Sequence, residues 1–162
     1  MGHCGNKYHN EKPTHRLLSF RVPHPHAEGR FIVKLTFIYN EANNLIGEAK
    51  GRANSKPASS LHPYIIQLLL LDKVEGLEQG SHRIENDFSF NDLSKDDLLL
   101  LIDKKPTLFS KSKVGRSSII NKGLMKEWQE SYEKVTGEKA PKLEDLKFDK
   151  NPKRVRQSRR NQ

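Results

Sequence analysis

The chain reads as an α+β fold: a small antiparallel hairpin sheet packed by two or three helices, with a flexible N-terminus and a disordered basic C-terminal tail. Three observations predict it. Residues 31–39 alternate as a strand, a turn-rich loop and a second short strand follow, and beyond residue 60 apolar residues recur at helical spacing. A hydrophobic fraction of 34% against a charged fraction of 30% over 162 residues allows one modest core and leaves extensions that cannot join it. Residues 1–15 are therefore a histidine-containing lead, 16–140 a single α+β domain and 141–162 a basic tail.

Structure begins at Leu17 with Leu-Leu-Ser-Phe-Arg-Val. In the run Phe31 to Tyr39, Phe31, Val33, Leu35, Phe37 and Tyr39 share one face, while Ile32, Lys34, Thr36 and Ile38 share the other. Asn40-Glu41-Ala42-Asn43-Asn44 is the loop of a hairpin whose second strand is Leu45 to Lys50. Gly51 to Ser60 is a linker by composition. Ser60 is placed to cap a helix over 61–74, with Pro63 in its first turn where the missing N–H costs little. A further short strand is expected at Ile84 to Phe90. Ser94 then caps a helix with Asp97 and places Asp96 and Asp97 at the positive end of its dipole; Leu98 to Ile102 is its buried part and Pro106 ends it. The longest helix is expected from Ser118 to Thr136, stopped by Gly137, with Ile120, Leu124, Trp128, Tyr132 and Val135 as a stripe packing on the hairpin sheet. Trp128, the one tryptophan, anchors that stripe as a core residue.

Charge is segregated along the chain. The formal net charge is +9, and residues 147–162 carry seven Lys or Arg against the single acid Asp149, a net of +6. That segment is too polar to repay the entropy of ordering itself and calls for a polyanion or an acidic partner. Residues 72–103 are acidic, with nine acids and three bases, whereas residues 104–126 hold seven bases and no acid.

The function expected from this pattern is non-enzymatic binding of nucleic acid, either RNA or DNA, or of a nucleoprotein complex. Its contacts would be to phosphates, made by Lys153, Arg154, Arg156, Arg159 and Arg160 of the tail, by Lys111, Lys113, Arg116 and Lys122, and by Arg52 and Lys56 of the linker loop. Arg116-Ser117-Ser118, read as sitting just ahead of a helix, offers a phosphate-binding corner. An alternative is a protein-interaction module, such as an inhibitor or accessory subunit of a nucleic-acid-processing complex, whose acidic 72–103 segment docks on a basic surface. No catalytic residue and no cofactor is assigned. The nucleotide-binding glycine loops and the Gly-x-Ser-x-Gly elbow are both missing.

Five of the seven histidines and Cys4 lie in the first 26 residues, but their spacing matches no standard zinc finger or ribbon, so no metal is assigned. His24-Pro25-His26, beside a strand, resembles the paired-histidine metal motif of rolling-circle replication and transposition nucleases. That resemblance implies His24 and His26 as metal ligands and a helical tyrosine, here Tyr132, as the nucleophile. Pro25 departs from the motif, which has a bulky apolar residue at that position. Pro152-Lys153-Arg154-Val155-Arg156 resembles a single-cluster nuclear localisation signal.

With one cysteine no internal disulfide forms. The densest apolar run, Ile65 to Leu71, is far short of a membrane span, so no membrane partner is expected. Met1 to Arg16 shows no signal peptide. The expected location is cytoplasmic, or nuclear in a eukaryote.

Overall fold

The alternating run 31–39 becomes an inner strand of the sheet. In a computed structural model that describes residues 14–78 and 84–145, β2 (Phe31–Asn40) pairs antiparallel with β1 (His15–Pro23) on one side and β3 (Leu45–Lys50) on the other. Leu35 and Phe37 are buried on the face covered by helices, as the alternation predicts. Asparagine chemistry closes the β2–β3 loop. Asn44 takes φ 59, its N–H donates to the Asn40 carbonyl (2.7 Å), and the Tyr39 hydroxyl donates to Asn44 Oδ1 (2.6 Å).

The sheet is mixed rather than purely antiparallel. A two-residue strand, β4 (Gly76–Leu77), runs parallel to β3 and completes the order β1-β2-β3-β4. Two residues carry no readable alternation. Backbone pairing holds them: the Glu75 N–H donates to Asn44 (2.9 Å) and the Glu78 N–H to Ile46 (2.7 Å). The strand expected at 84–90 does not form. Ile84–Asn86 and Phe90–Asp92 are 3-10 turns. The Ser89 hydroxyl accepts from the Asn91 N–H (3.2 Å) while Asp92 Oδ2 accepts from the Ser89 N–H (2.9 Å), so local side chains take groups a ladder would use, although the Phe88 N–H still reaches the Ala49 carbonyl of β3 (2.9 Å).

Four α-helices accompany the sheet among the described residues. Helix α1 (His62–Leu69) is shorter than the expected 61–74, and Ser60 does not cap it; Ser60 lies in a preceding 3-10 turn and Leu61 occupies the cap position without a side-chain bond. The chain reverses after Leu71 to bring Val74 into the core. Helix α2 (Lys95–Lys104) follows the expectation: Ser94 Oγ accepts from the Asp97 N–H (3.2 Å), and Leu98, Leu101 and Ile102 are buried.

The expected 118–136 helix is two helices, α3 (Lys113–Asn121) and α4 (Met125–Thr136). Gly123, at φ 66, makes the break in a conformation that side-chain-bearing residues rarely adopt, and Gly137 at φ 71 ends α4 as expected. The stripe is therefore interrupted: Leu124 and Trp128 are buried, Tyr132 is partly buried, and Ile120 and Val135 face solvent. Nor does α4 lie on the hairpin sheet. It packs against α2 and the 3-10 turn Pro106–Phe109, where the Trp128 indole N–H donates to the Pro106 carbonyl (2.8 Å). The core joins Leu35, Phe37 and Ile46 of the sheet to Leu69, Leu101, Phe109, Trp128 and Leu143.

Candidate nucleic-acid interface

Of the exposed cations in residues 104–126, Lys111, Lys113 and Lys122 lie on or beside α3, while Lys104 belongs to α2 and Lys126 to α4. Ser112 caps this helix by accepting from the Gly115 N–H (3.3 Å), and its own hydroxyl donates to the Leu77 carbonyl, which ties the helix start to β4. Gly115 is required for the packing. A Cβ there would sit 2.7 Å from Phe109 Cα and from its carbonyl oxygen, so the backbones meet as they do only because the side chain is absent. With α3 fixed in this way, Lys113 stands in its first turn, Arg116 one turn further on, Lys122 at its C-cap and Lys111 in the preceding loop; Lys111, Lys113 and Lys122 are exposed and Arg116 is partly buried.

Beside the helix lies an open cleft of about 280 Å³, lined by Ser89, Asn91, Lys113, Val114 and Ser117. Lys113 and Ser117 are four residues apart and face it together. Its opposite wall is the Ser89–Asp92 capping turn, whose Asp92 also holds Lys56: the ammonium lies 2.7 and 2.9 Å from the two carboxylate oxygens. The fold thereby brings the 51–60 loop and the 104–126 segment to one side of the molecule. Arg52 is exposed in the 3-10 turn Arg52–Asn54 at the root of that loop.

Two expectations change. Arg116-Ser117-Ser118 is not at a helix start but inside α3, and Ser118 is buried with its hydroxyl donating to the Val114 carbonyl (2.9 Å). Lys56 is exposed but already engaged by the Asp92 carboxylate. Ser89 and Asn91 were not singled out from sequence, although Ser89-x-x-Asp92 has the spacing of a capping box.

Other charges of the body are used internally. Lys50 lies 3.4 Å from the buried Asp87, and Arg16 lies 3.2 Å from Glu41. Lys105 donates to the carbonyls of Leu69 (3.1 Å), Leu71 (2.7 Å) and Val74; burial lowers its pKa below the ordinary 10.5, opposed by the nearby Asp72 and Glu75. The described residues as a whole hold 19 Lys or Arg and 18 Asp or Glu, a net of +1. Lys153, Arg154, Arg156, Arg159 and Arg160 lie outside the described residues.

His24 and His26 sit in the turn between β1 and β2, where His24 Nδ1 accepts from the backbone N–H of His26 (3.0 Å) and the rings meet edge to face at 6.3 Å. Tyr132 stacks obliquely on Trp128 at 5.2 Å as a packing residue of α4. Among the described residues no group of three or more His, Cys, Asp or Glu converges in a metal-holding geometry, and no helix is long and apolar enough to cross a membrane. Compared with known proteins, the chain matches no family model, no curated protein and no solved structure at significant similarity.

Proposed function

We propose that the protein binds nucleic acid without enzymatic chemistry, as RNA, DNA or part of a ribonucleoprotein assembly, through phosphate contacts made chiefly by Lys153, Arg154, Arg156, Arg159 and Arg160. The observation that carries this reading is the placement of charge. Residues 14–145 are nearly neutral at +2 and spend Lys50, Lys56, Lys105 and Arg16 on their own carboxylates and carbonyls, while residues 147–162 hold +6. Lys111, Lys113, Arg116 and Lys122 around α3, with Arg52, form a secondary contact surface; Lys56 contributes mainly by holding the loop. Contacts of this kind bring affinity with little sequence discrimination. The protein acts in the cytoplasm, or in the nucleus where an import receptor reads residues 152–156.

Titration of fluorescent single-stranded RNA and duplex DNA with the full chain at physiological salt tests the reading. Saturable binding of at least one is expected, together with its loss when Arg154, Arg156, Arg159 and Arg160 are all changed to Gln. Unchanged binding by that variant refutes it.

A protein-docking role is the second reading. Asp72, Glu75, Asp96 and Asp103 of the acidic segment are exposed, which favours a basic protein partner; capture of such a partner by the quadruple Gln variant would support it.

A further inference from the structure

The helices cover only part of the sheet. On the face they pack against, Leu35 of β2 is buried, whereas Phe31, on the same face at the start of the strand, is 61% exposed, the highest value for a large apolar side chain among the described residues. Cross-strand partners show where the cover stops. Phe20 of β1 lies opposite Leu35 and still packs on Tyr64 of α1, with ring centroids 4.6 Å apart. Just beyond Phe20 a bulge shifts the register, so that Arg21 pairs with Val33. Strict alternation would set Arg21 opposite Lys34 on the other face; the bulge brings it to the face of Val33 and Phe31 instead. Arg21 and Phe31 are thereby diagonal neighbours across the two strands, a separation that long side chains span.

Further arginines stand at this end of the sheet. The β1–β2 turn is held by the His24 N–H donating to the Arg30 carbonyl (2.9 Å), the Arg30 N–H to the Ala27 carbonyl (3.1 Å) and the His26 N–H to His24 Nδ1 (3.0 Å), so Arg30 and Phe31 leave it from a fixed frame. Strand β3 runs toward the same end, from Leu45 opposite Asn40 to Lys50 opposite Thr36, and the Arg52–Asn54 turn that follows it packs on β2. Arg21, Arg30 and Arg52 are exposed, and their guanidiniums make no hydrogen bond or ion pair among the described residues; Glu28 is the one acid of the β1–β2 turn.

We propose that this end of the sheet seats an unpaired nucleotide of a single-stranded nucleic acid, with its base stacked on Phe31 and the flanking phosphates held by Arg21, Arg30 and Arg52. The inference rests on the proposed nucleic-acid binding and adds a preference for single strands to it. An exposed phenyl ring gains nothing from a phosphate, but it offers a stacking face to any base, and a base shows its own face only where it is unstacked from its neighbours. The guanidiniums around the ring suit the phosphates on either side of that base. An apolar protein partner would have to desolvate three guanidiniums without supplying carboxylates, whereas a polyanion is attracted by them and by the +9 chain as a whole.

The test measures binding of a single-stranded oligonucleotide, and of a duplex of the same sequence, to the full chain by fluorescence anisotropy. Phe31→Ala is expected to weaken single-strand binding at least about fivefold and duplex binding less than about twofold, with far-UV circular dichroism and thermal unfolding unchanged. Phe31→Trp should keep the single-strand affinity, and the fluorescence of the new indole should be quenched as the strand is added. Leu71→Ala, at a similarly exposed apolar position in the turn after α1, should bind as the wild type does. A full chain that binds both nucleic acids, and whose Phe31→Ala variant binds the single strand as tightly as the wild type, overturns the stacking site and leaves the tail-based reading standing. An unquenched indole in Phe31→Trp, a loss shared equally by the duplex, or an equal loss in Leu71→Ala overturns it too. A full chain that binds neither nucleic acid overturns both readings.

Discussion

Lys56 and Asp92 form an ion pair at 2.7 Å that joins the loop after β3 to the turn before α2 across 36 residues of sequence. The pair is partly exposed, so it is worth no more than about 0.2–1 kcal/mol. Its consequence is positional: the 51–60 loop is drawn against the cleft wall, and the ammonium has a carboxylate partner that a phosphate would have to displace. Lys56→Gln is accordingly expected to change nucleic-acid affinity less than about twofold, as read by fluorescence anisotropy. A tenfold loss would assign Lys56 a direct contact.

The cations around α3 should behave differently. Lys111, Lys113 and Lys122 are exposed, and none of them is required by the fold. Changing all three to Gln is expected to leave thermal stability within about 0.5 kcal/mol and to reduce affinity at low salt. The reduction should be similar for RNA and DNA of any sequence, because phosphate contacts carry no base information.

Lys105 serves stability. Its ammonium binds three carbonyls at the end of α1, so Lys105→Met leaves these acceptors without their donor and should destabilise the protein by about 1–3 kcal/mol in urea unfolding. The pH dependence has a defined sign. Because burial lowers the folded-state pKa below 10.5, the unfolded chain binds more protons in the window just under that value, and stability from this group rises with pH there. The advantage of the wild type over Lys105→Met should therefore grow as pH climbs through that window.

Two packing variants test the helical half of the body. Gly115→Ala puts a methyl group 2.7 Å from the Phe109 backbone and should cost about 1–3 kcal/mol, even though alanine is the better helix former. Trp128→Phe leaves the Pro106 carbonyl without its 2.8 Å donor and opens a cavity; a loss of at least about 2 kcal/mol is expected by thermal unfolding.

Where one residue type dictates one local geometry, the fold was legible in the sequence. The alternation through Phe31 to Tyr39, the asparagines of the β2–β3 loop, Ser94 ahead of α2 and Gly137 after α4 each act through their immediate neighbours. Features that depend on distant partners were not legible. Two-residue β4 exists because Asn44 and Ile46 offer it carbonyls, and α1 ends at Leu69, whose carbonyl accepts from Lys105, 36 residues away. The break at Gly123 is masked in the sequence because Ile120, Leu124 and Trp128 keep helical spacing across it; the glycine beside Leu124 is the available signal. Of the candidate interface, the cations were visible in sequence, but their grouping with Ser89 and Asn91 was not, since it requires the capping turn and α3 to pack side by side.

The proposed function assigns most of the affinity for nucleic acid to the charge in residues 147–162. Its most direct test compares the salt dependence of RNA and DNA binding by the full chain and by a chain ending at Leu146. The log affinity of the full chain should fall linearly with log salt, and truncation should flatten the slope by about four to six units. Equal slopes for the two chains would contradict it and move the contacts to the folded body.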